Sequence, residues 1–420
     1  MTQEPSQGRS IREWDPIRLA PYYSMFFLWS LGTGAQQLAR PLFAAELGAT
    51  PFLVVLITAS NAIARLIISP TTGFLADHLG RKPLVLLGNG IRFVTLVGQF
   101  FAQTYLQFFV LEFVGAIGVA MWGTSSQVAM ADFTTAANRG RLMALRSMTN
   151  QIGVIAGPAT GALIIVAFHD NLRYVFLFNA VTKILIDVLV RFFGKETAPE
   201  ANRRTTPKAQ REKLDLSFFM TRGFIALALT TFALNMMGQG GAFGALFPVQ
   251  ARNDVGLTSA EIGKMLSIAG FIGLLVAYPN GWAIDHFGRK PTLIPGLCFL
   301  AAAAIVLANL SGVNQIYIML VFYGLGSAMS MGASQAFAVD LAPPDRRGSF
   351  LGLWALIAGF GSIVAPLAIG AVATNLGYAP GYTIVAVLLL LSAGFMLFFG
   401  PETKAQRERQ AARAASAPGG

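Results

Sequence analysis

Two acidic residues of this chain, Glu112 and Asp187, fall inside long apolar runs, as do Arg40, Arg65, Arg92 and Lys183. A charge at the centre of a bilayer costs roughly 2.5–3.5 kcal/mol, against ~0.3–0.6 kcal/mol gained per leucine, so such residues mark function or pairing. Two chemistries suit them: a carboxyl that takes up and releases a proton, and a charge that recognises a charged solute. Glu112 has no basic neighbour in its own run, and either Arg92 or Arg40 can pair with it. Proton coupling and a fixed ion pair therefore both stand as readings. Asp187 follows Lys183 by four residues, and mutual neutralisation is the simplest reading of that spacing. Asp187 is also the second candidate for proton coupling. Arg65 belongs to a stripe of Thr58, Asn61, Arg65, Ser69 and Thr72, spaced 3, 4, 4 and 3, which places one polar face on a helix. Similar faces occur at Gln36 and Arg40, at Asn235 and Gln239, and at Tyr323, Ser327, Ser330 and Ser334. These are the candidate solute-contacting residues, although hydroxyls also bond their own helix backbone.

The elements that must position them are membrane spans. Of the 420 residues 54% are hydrophobic and only 12% charged, and the mean hydropathy is +0.58; a soluble domain carries about 25% charged residues. A span needs ~20 apolar residues. Twelve are placed near 20–44, 51–76, 84–104, 108–130, 142–168, 174–193, 218–248, 259–283, 292–311, 316–338, 349–373 and 381–399. Residues 1–19 form an N-terminal segment, 20–194 a first six-helix half, 195–217 a basic linker with a short surface helix around 208–214, 218–400 a second half, and 401–420 a tail expected to be disordered. The net charge of +11 is not spread evenly. With the N-terminus inside, 24 of the 31 Lys and Arg fall in cytoplasmic segments, and Arg173 and Arg252 alone in outside loops. That is the positive-inside bias, which places both termini in the cytoplasm of an integral plasma (inner) membrane protein. The partner implied by the charge is acidic lipid and not nucleic acid.

The two halves repeat. Gly73-Phe-Leu-Ala-Asp77-His-Leu-Gly80-Arg81-Lys82-Pro83 returns as Gly281-Trp-Ala-Ile-Asp285-His-Phe-Gly288-Arg289-Lys290-Pro291, identical at seven of eleven positions at an offset of 208. At the same offset Asp132 matches Asp340, Arg139-Gly140 matches Arg347-Gly348, and Pro158 matches Pro366. The duplicated charged loop resembles the signature loop of the major facilitator superfamily of secondary transporters, over roughly residues 20–400. The resemblance implies an all-α polytopic fold of 12 transmembrane helices in two pseudo-symmetric six-helix halves. It also implies a central cavity, alternating access, and a monomer. It implies that Asp77, Arg81 and Asp132, mirrored by Asp285, Arg289 and Asp340, form gating clusters on the cytoplasmic side, with Gly73, Gly80, Lys82, Gly281, Gly288 and Lys290 as the other loop members. In this family the loop aspartate caps a helix of the opposite half. The position after it is usually basic; here it is His78 and His286, which opens the way to a pH-sensitive latch or to a plain solvated histidine.

Gly153-Val-Ile-Ala-Gly157-Pro158-Ala-Thr-Gly161 resembles the motif that marks drug–proton antiporters among twelve-helix members, except that Ala162 stands where a second glycine is common. Proline removes a backbone donor and glycines admit a close neighbour, so the segment is a helix-bend motif or plain packing. The resemblance implies efflux of drug-like or amphipathic compounds with the proton gradient as energy source and no cofactor. Phe232, Met236, Met237, Phe243 and Met329 would suit such a cavity. The alternative is an importer, facilitator or exchanger of a defined metabolite, such as an organic anion, since Arg40, Arg65, Arg92 and Lys264 outnumber the acids. A non-transporting receptor on this fold is a third reading. An enzyme has little support. The single cysteine, Cys298, rules out an internal disulfide. His78, His169 and His286 lie far apart, so no metal site is expected. The first eighteen residues hold no apolar core, so the first span is expected to act as the signal.

Overall fold

A computed structural model of the chain describes residues 16–132, 139–193, 221–238, 240–343 and 347–401. The side chains of Gly73, Asp77, His78, Asp132, Arg139 and Arg141 lie outside the described residues, as do Gln239, the linker and most of the tail. Thirteen α-helices follow in order: α1 Pro16–Glu46, α2 Pro51–Leu79, α3 Arg81–Phe101, α4 Tyr105–Asp132, α5 Arg139–Ala167, α6 Arg173–Phe193, α7 Arg222–Met237, α8 Phe247–Val255, α9 Ser259–Phe287, α10 Lys290–Ala308, α11 Val313–Leu341, α12 Arg347–Leu376 and α13 Tyr378–Phe399. Nine of them, α2–α5 and α9–α13, are long and apolar enough to cross a membrane. The other three spans are diluted by what they carry. α1 holds Gln36, Gln37 and Arg40, α6 holds Lys183 and Asp187, and the third is split into α7 and α8.

That split corrects the continuous span expected over 218–248. Gly238, Gly240 and Gly241 crowd four positions, and glycine is poor at holding a helix. α7 stops at Met237, and the chain re-enters through a π-helical turn, Ala242–Leu246, before α8. The helix starts are written in side chains. Thr50 and Thr221 accept from the backbone N–H groups of Leu53 and Phe224, and Thr258 forms a reciprocal capping box with Glu261. Gly80 and Gly288 take φ of 96° and 100°, a region that disfavours side chains, so both signature loops turn the same way at the same register.

Packing repeats with the sequence. α1 lies on α5 and α6, α3 on α4 and α6, and α2 on α4; their counterparts α7, α10 and α9 lie on α12 and α13, on α11 and α13, and on α11. The halves meet through α5 on α9 and α2 on α12, which a two-fold exchanges. Within the first half, glycines set the spacing. A Cβ on Gly157 would stand 2.5 Å from the Cα of Gly34, and one on Gly88 would stand 2.7 Å from the backbone of Gly118 and Trp122.

Candidate functional site

The first half closes around Glu112. This side chain on α4 is fully buried, and five side chains from three other helices converge on it. Oε1 faces Arg40 Nε of α1 at 3.0 Å, and accepts from Asn61 of α2 at 3.1 Å and Arg92 Nη2 of α3 at 3.4 Å. Oε2 accepts from Gln99 of α3 at 2.7 Å, Arg92 Nη1 at 3.1 Å and Gln36 of α1 at 3.3 Å. The Arg40 contact is a charge contact, since its N–H is not aligned as a hydrogen bond. A carboxylate offers about four lone-pair sites, so this one is saturated. Helical spacing brings the donors together. Gln36 and Arg40 are one turn apart on α1, and Arg92 and Gln99 two turns apart on α3. Gly115 leaves room on α4 for Arg92 and Thr95.

Neighbouring amides hold the donors in place. Gln36 Oε1 accepts from Arg92 Nη2 at 2.7 Å and from Asn179 of α6 at 2.8 Å, and Gln36 Nε2 also reaches Gln99. Arg40, Arg92 and Glu112 together carry one net positive charge in the interior of the half. Such a cluster is stable only while every member stays; removing one partner of a buried pair costs roughly 3–5 kcal/mol.

Four of the sequence-expected residues, Gln36, Arg40, Asn61 and Glu112, are therefore brought together, but as a buried hub and not as a cavity wall. Arg92 was expected only as one possible partner. Gln99 and Asn179 were missed, although Asn89, Arg92, Thr95 and Gln99 form a stripe on α3 spaced 3, 3 and 4 that marks the same face. The expected Lys183–Asp187 pair does not form. Lys183 turns inward, its Nζ 3.7 Å over the ring of Trp29, while Asp187 is half-buried and accepts from Asn89 at 2.8 Å.

The remaining candidates are dispersed. Arg65 is exposed and makes no hydrogen bond or ion pair among the described residues, while Thr58 and Thr72 of its stripe bond the carbonyls of Val55 and Ile68. Asn235 donates to Thr231 and Ala358 carbonyls beside the break after α7. Gln239, in that break, lies outside the described residues. Tyr323 stacks on Phe243 of the π turn, centroids 3.5 Å apart, and Ser327 bonds its own helix at Gly324. Ser330 faces Gly296 of α10. Met236, Met237 and Phe243 are buried in the main hydrophobic core.

The bend motif and the loops are placed as follows. Gly153, Gly157 and Gly161, one turn apart, all face α1, at Ser30, Gly34 and Ala35, around Pro158. Arg289 Nε lies 2.7 Å from Asp340 Oδ2, and Arg289 also donates to the Ile284 carbonyl. Asp285 stands outside that pair. α5 and α9 touch from Gly263, against Pro158 and Ala162, to Gly270, against Ile155. Further along α9, Tyr278, Trp282 and Asp285 are exposed. The expected three-member set is thus two-membered here. In the first loop Arg81 is buried, and the side chains of Asp77 and Asp132 lie outside the described residues. At the opposite end of the bundle, Arg252 Nη1 is 2.6 Å from Glu46 Oε1, and Thr374 Oγ1 accepts from Phe52 N–H at 2.9 Å. Both contacts join the halves. Beside them is a cavity of about 350 Å3 lined by Leu42, Glu46, Leu246, Arg252, Asn253 and Tyr378.

Comparison with known proteins agrees with this architecture. The family model of the Major Facilitator Superfamily matches residues 22–251 and 228–418. A multi-drug resistance efflux pump, PmrA, of Streptococcus pneumoniae is 24% identical over 385 residues, covering 91% of both chains. The class C tetracycline resistance protein of Escherichia coli is 26% identical over 322 residues, 74% of this chain and 77% of that one. Among solved structures, the nucleoside transporter NupG superimposes with a TM-score of 0.74 at 15% identity, covering 92% of this chain and all of that one.

Proposed function

The chain belongs to the Major Facilitator Superfamily, a family of integral membrane transport proteins and not of enzymes, and from that premise we propose that it exports drug-like or amphipathic organic compounds in exchange for protons. One observation carries this reading. α1 is clamped to the Gly153–Pro158 segment of α5 through Gly34, and two turns of the same helix deliver Gln36 and Arg40 to Glu112. The motif that resembles those of drug–proton antiporters is thus mechanically joined to the buried acid. The relatives named as drug and tetracycline resistance proteins support the same direction.

In this mechanism Glu112 has no lone pair to spare, so a proton reaches it only when a donor leaves. The lone pair is freed by one of the amide donors, and Arg40 is the cation placed to move with it: it holds Glu112 by charge without an aligned hydrogen bond, and its side chain is the more exposed of the two arginines, at 9% against 3%. A cationic solute that displaces Arg40 and pairs with Glu112 keeps the proton off, and a proton on Glu112 leaves the solute without its counter-ion. Competition for one acid couples the two fluxes. Both termini are taken as cytoplasmic, by the positive-inside bias. The Glu46–Arg252 and Phe52–Thr374 links then close the outer side, and the exposed Asp285 belongs to an unlatched cytoplasmic side. The gating role that the family resemblance implies for Asp77, Arg81 and Asp132, and for Asp285, Arg289 and Asp340, is to hold the cytoplasmic side closed when the outer side opens.

The excess of buried cations, Arg40, Arg92 and Lys183 against Glu112, favours a second reading, exchange of an organic anion. Purified protein in liposomes with an imposed pH gradient separates the two. Accumulation of tetraphenylphosphonium with counter-movement of protons supports export. Gradient-independent exchange of an organic anion, with no movement of the cation, replaces it by the second reading.

A further inference from the structure

Lys183 is fully buried on α6, and its Nζ has no hydrogen-bond partner. One face of the ammonium is met by the Trp29 ring at 3.7 Å, and Trp29 is itself stacked on Trp122, centroids 3.6 Å apart and planes within 4°. The π face attracts a cation but accepts none of its three N–H groups. The charged groups on the surrounding elements do not supply the missing counter-ion. Arg92 of α3 is positive and already committed to Glu112 of α4 and to Gln36. Arg40 of α1 shares the same acid. Arg146 of α5 lies beyond Phe26, over that ring at 4.5 Å, and is also positive. Among the described residues the carboxylate left is Asp187, one turn along α6, which makes no ion pair with Lys183 and is held by Asn89; the same amide donates to the Lys183 carbonyl at 2.7 Å.

We propose that Lys183 is a proton-binding site of the transporter, with Asp187 as its relay to solvent. In the releasing step an Nζ–H bond breaks, its electron pair stays on nitrogen, and the proton passes through the Asp187 carboxylate to water; nothing is oxidised or reduced. Asp187 suits the relay because it is half-buried, on the same face, and oriented by the amide that also touches the Lys183 backbone. Charging Lys183 adds a second uncompensated positive charge beside Arg92, which opposes a cationic solute anywhere near the Glu112 hub. Releasing the proton removes that opposition. Proton and cation then exclude one another through the field and need not share a residue.

This inference rests on the proton-coupled reading, and the test separates the two. The full chain in detergent is titrated from about pH 5 to about pH 9 with tryptophan emission as readout, since the amine charges against Trp29. Wild type is expected to show a reversible transition that is absent from both Lys183→Met and Lys183→Arg, because arginine keeps its proton throughout. In liposomes loaded with tetraphenylphosphonium, Lys183→Arg is expected to lose at least about tenfold of pH-gradient-driven flux while downhill exchange in Lys183→Met persists. A flat wild-type titration, or the same transition in Lys183→Arg, overturns the site, and Lys183→Arg decides if Lys183→Met does not fold. A transition specific to Lys183 in a protein that moves no tetraphenylphosphonium overturns the export reading and leaves the site standing.

Discussion

Lys82 and Lys290, related by the 208-residue offset, each donate from Nζ to the carbonyls that end the last helix of their own half. Lys82 reaches Arg191 at 3.1 Å, and Lys290 reaches Leu397 and Gly400 at 2.9 Å. A helix C-terminus leaves its last carbonyls unpaired and carries partial negative charge, so an ammonium there satisfies both. The second basic residue of the signature loop thus ties the loop between a half's second and third spans to the end of its sixth.

Lys290→Met is expected to lower stability by about 0.5–1.5 kcal/mol, the scale of a charged capping contact. Lys290→Arg should retain most of it. A thermal-unfolding series in detergent checks this, with equal midpoints for wild type and Lys290→Met as the outcome that excludes the cap.

Much of the fold was legible because the duplication repeats loops, prolines and acids in register, and Gly80 and Gly288 share one backbone conformation. The break after Met237 was legible too, in Gly238, Gly240 and Gly241, but apolar flanks masked it. The hub was half legible. Glu112, Arg40, Gln36 and Asn61 stand out as polar residues in apolar runs, whereas Gln99, near the end of α3, and Asn179 look like ordinary amides. Which of them meet depends on the rotation and depth of five helices, and no single helix encodes that. Lys183 and Asp187 show the same limit: their spacing permits a pair, but Trp29 on another helix draws the lysine inward.

Gly157→Val is expected to abolish folding or transport, because branches on Cβ would drive into the Gly34 backbone. Inserting such volume into a packed interface costs about 1–3 kcal/mol and shifts α1, which carries two hub residues. Gly161→Ala meets Ala35 at 3.1–3.3 Å and should be the milder change. Expression, monodispersity and tetraphenylphosphonium flux rank the two; equal, wild-type behaviour of both would remove the clamp from the mechanism.

The Glu46–Arg252 bridge is half exposed, so it contributes only ~0.2–1 kcal/mol, and its effect should be on conformation and not on folding. Arg252→Glu places like charges across the halves at the end that the positive-inside bias makes the outer one, and should favour opening there. A single reporter cysteine at Leu246, in a background with Cys298 replaced, is expected to label faster from outside. Adding Glu46→Arg should restore the slow rate. Unchanged labelling in the single variant would show that the bridge does not hold the outer side shut.

Glu112→Gln tests the hub and the coupling together. The amide keeps the shape but removes the one negative charge between Arg40 and Arg92, and it turns an acceptor of Gln99, Gln36 or Asn61 into a donor. Stability should fall by about 3–5 kcal/mol, the scale for stranding buried partners. Arg40→Gln added to Glu112→Gln removes one stranded cation and should recover part of that loss. If the folded fraction binds tetraphenylphosphonium and exchanges it downhill but no longer accumulates it against a pH gradient, Glu112 is a coupling residue. Uphill transport that survives the substitution moves the proton to Lys183 and Asp187. Recovery of uphill transport by Arg40→Gln in that background, with no carboxyl at 112, would leave the Glu112 cluster a purely structural ion pair.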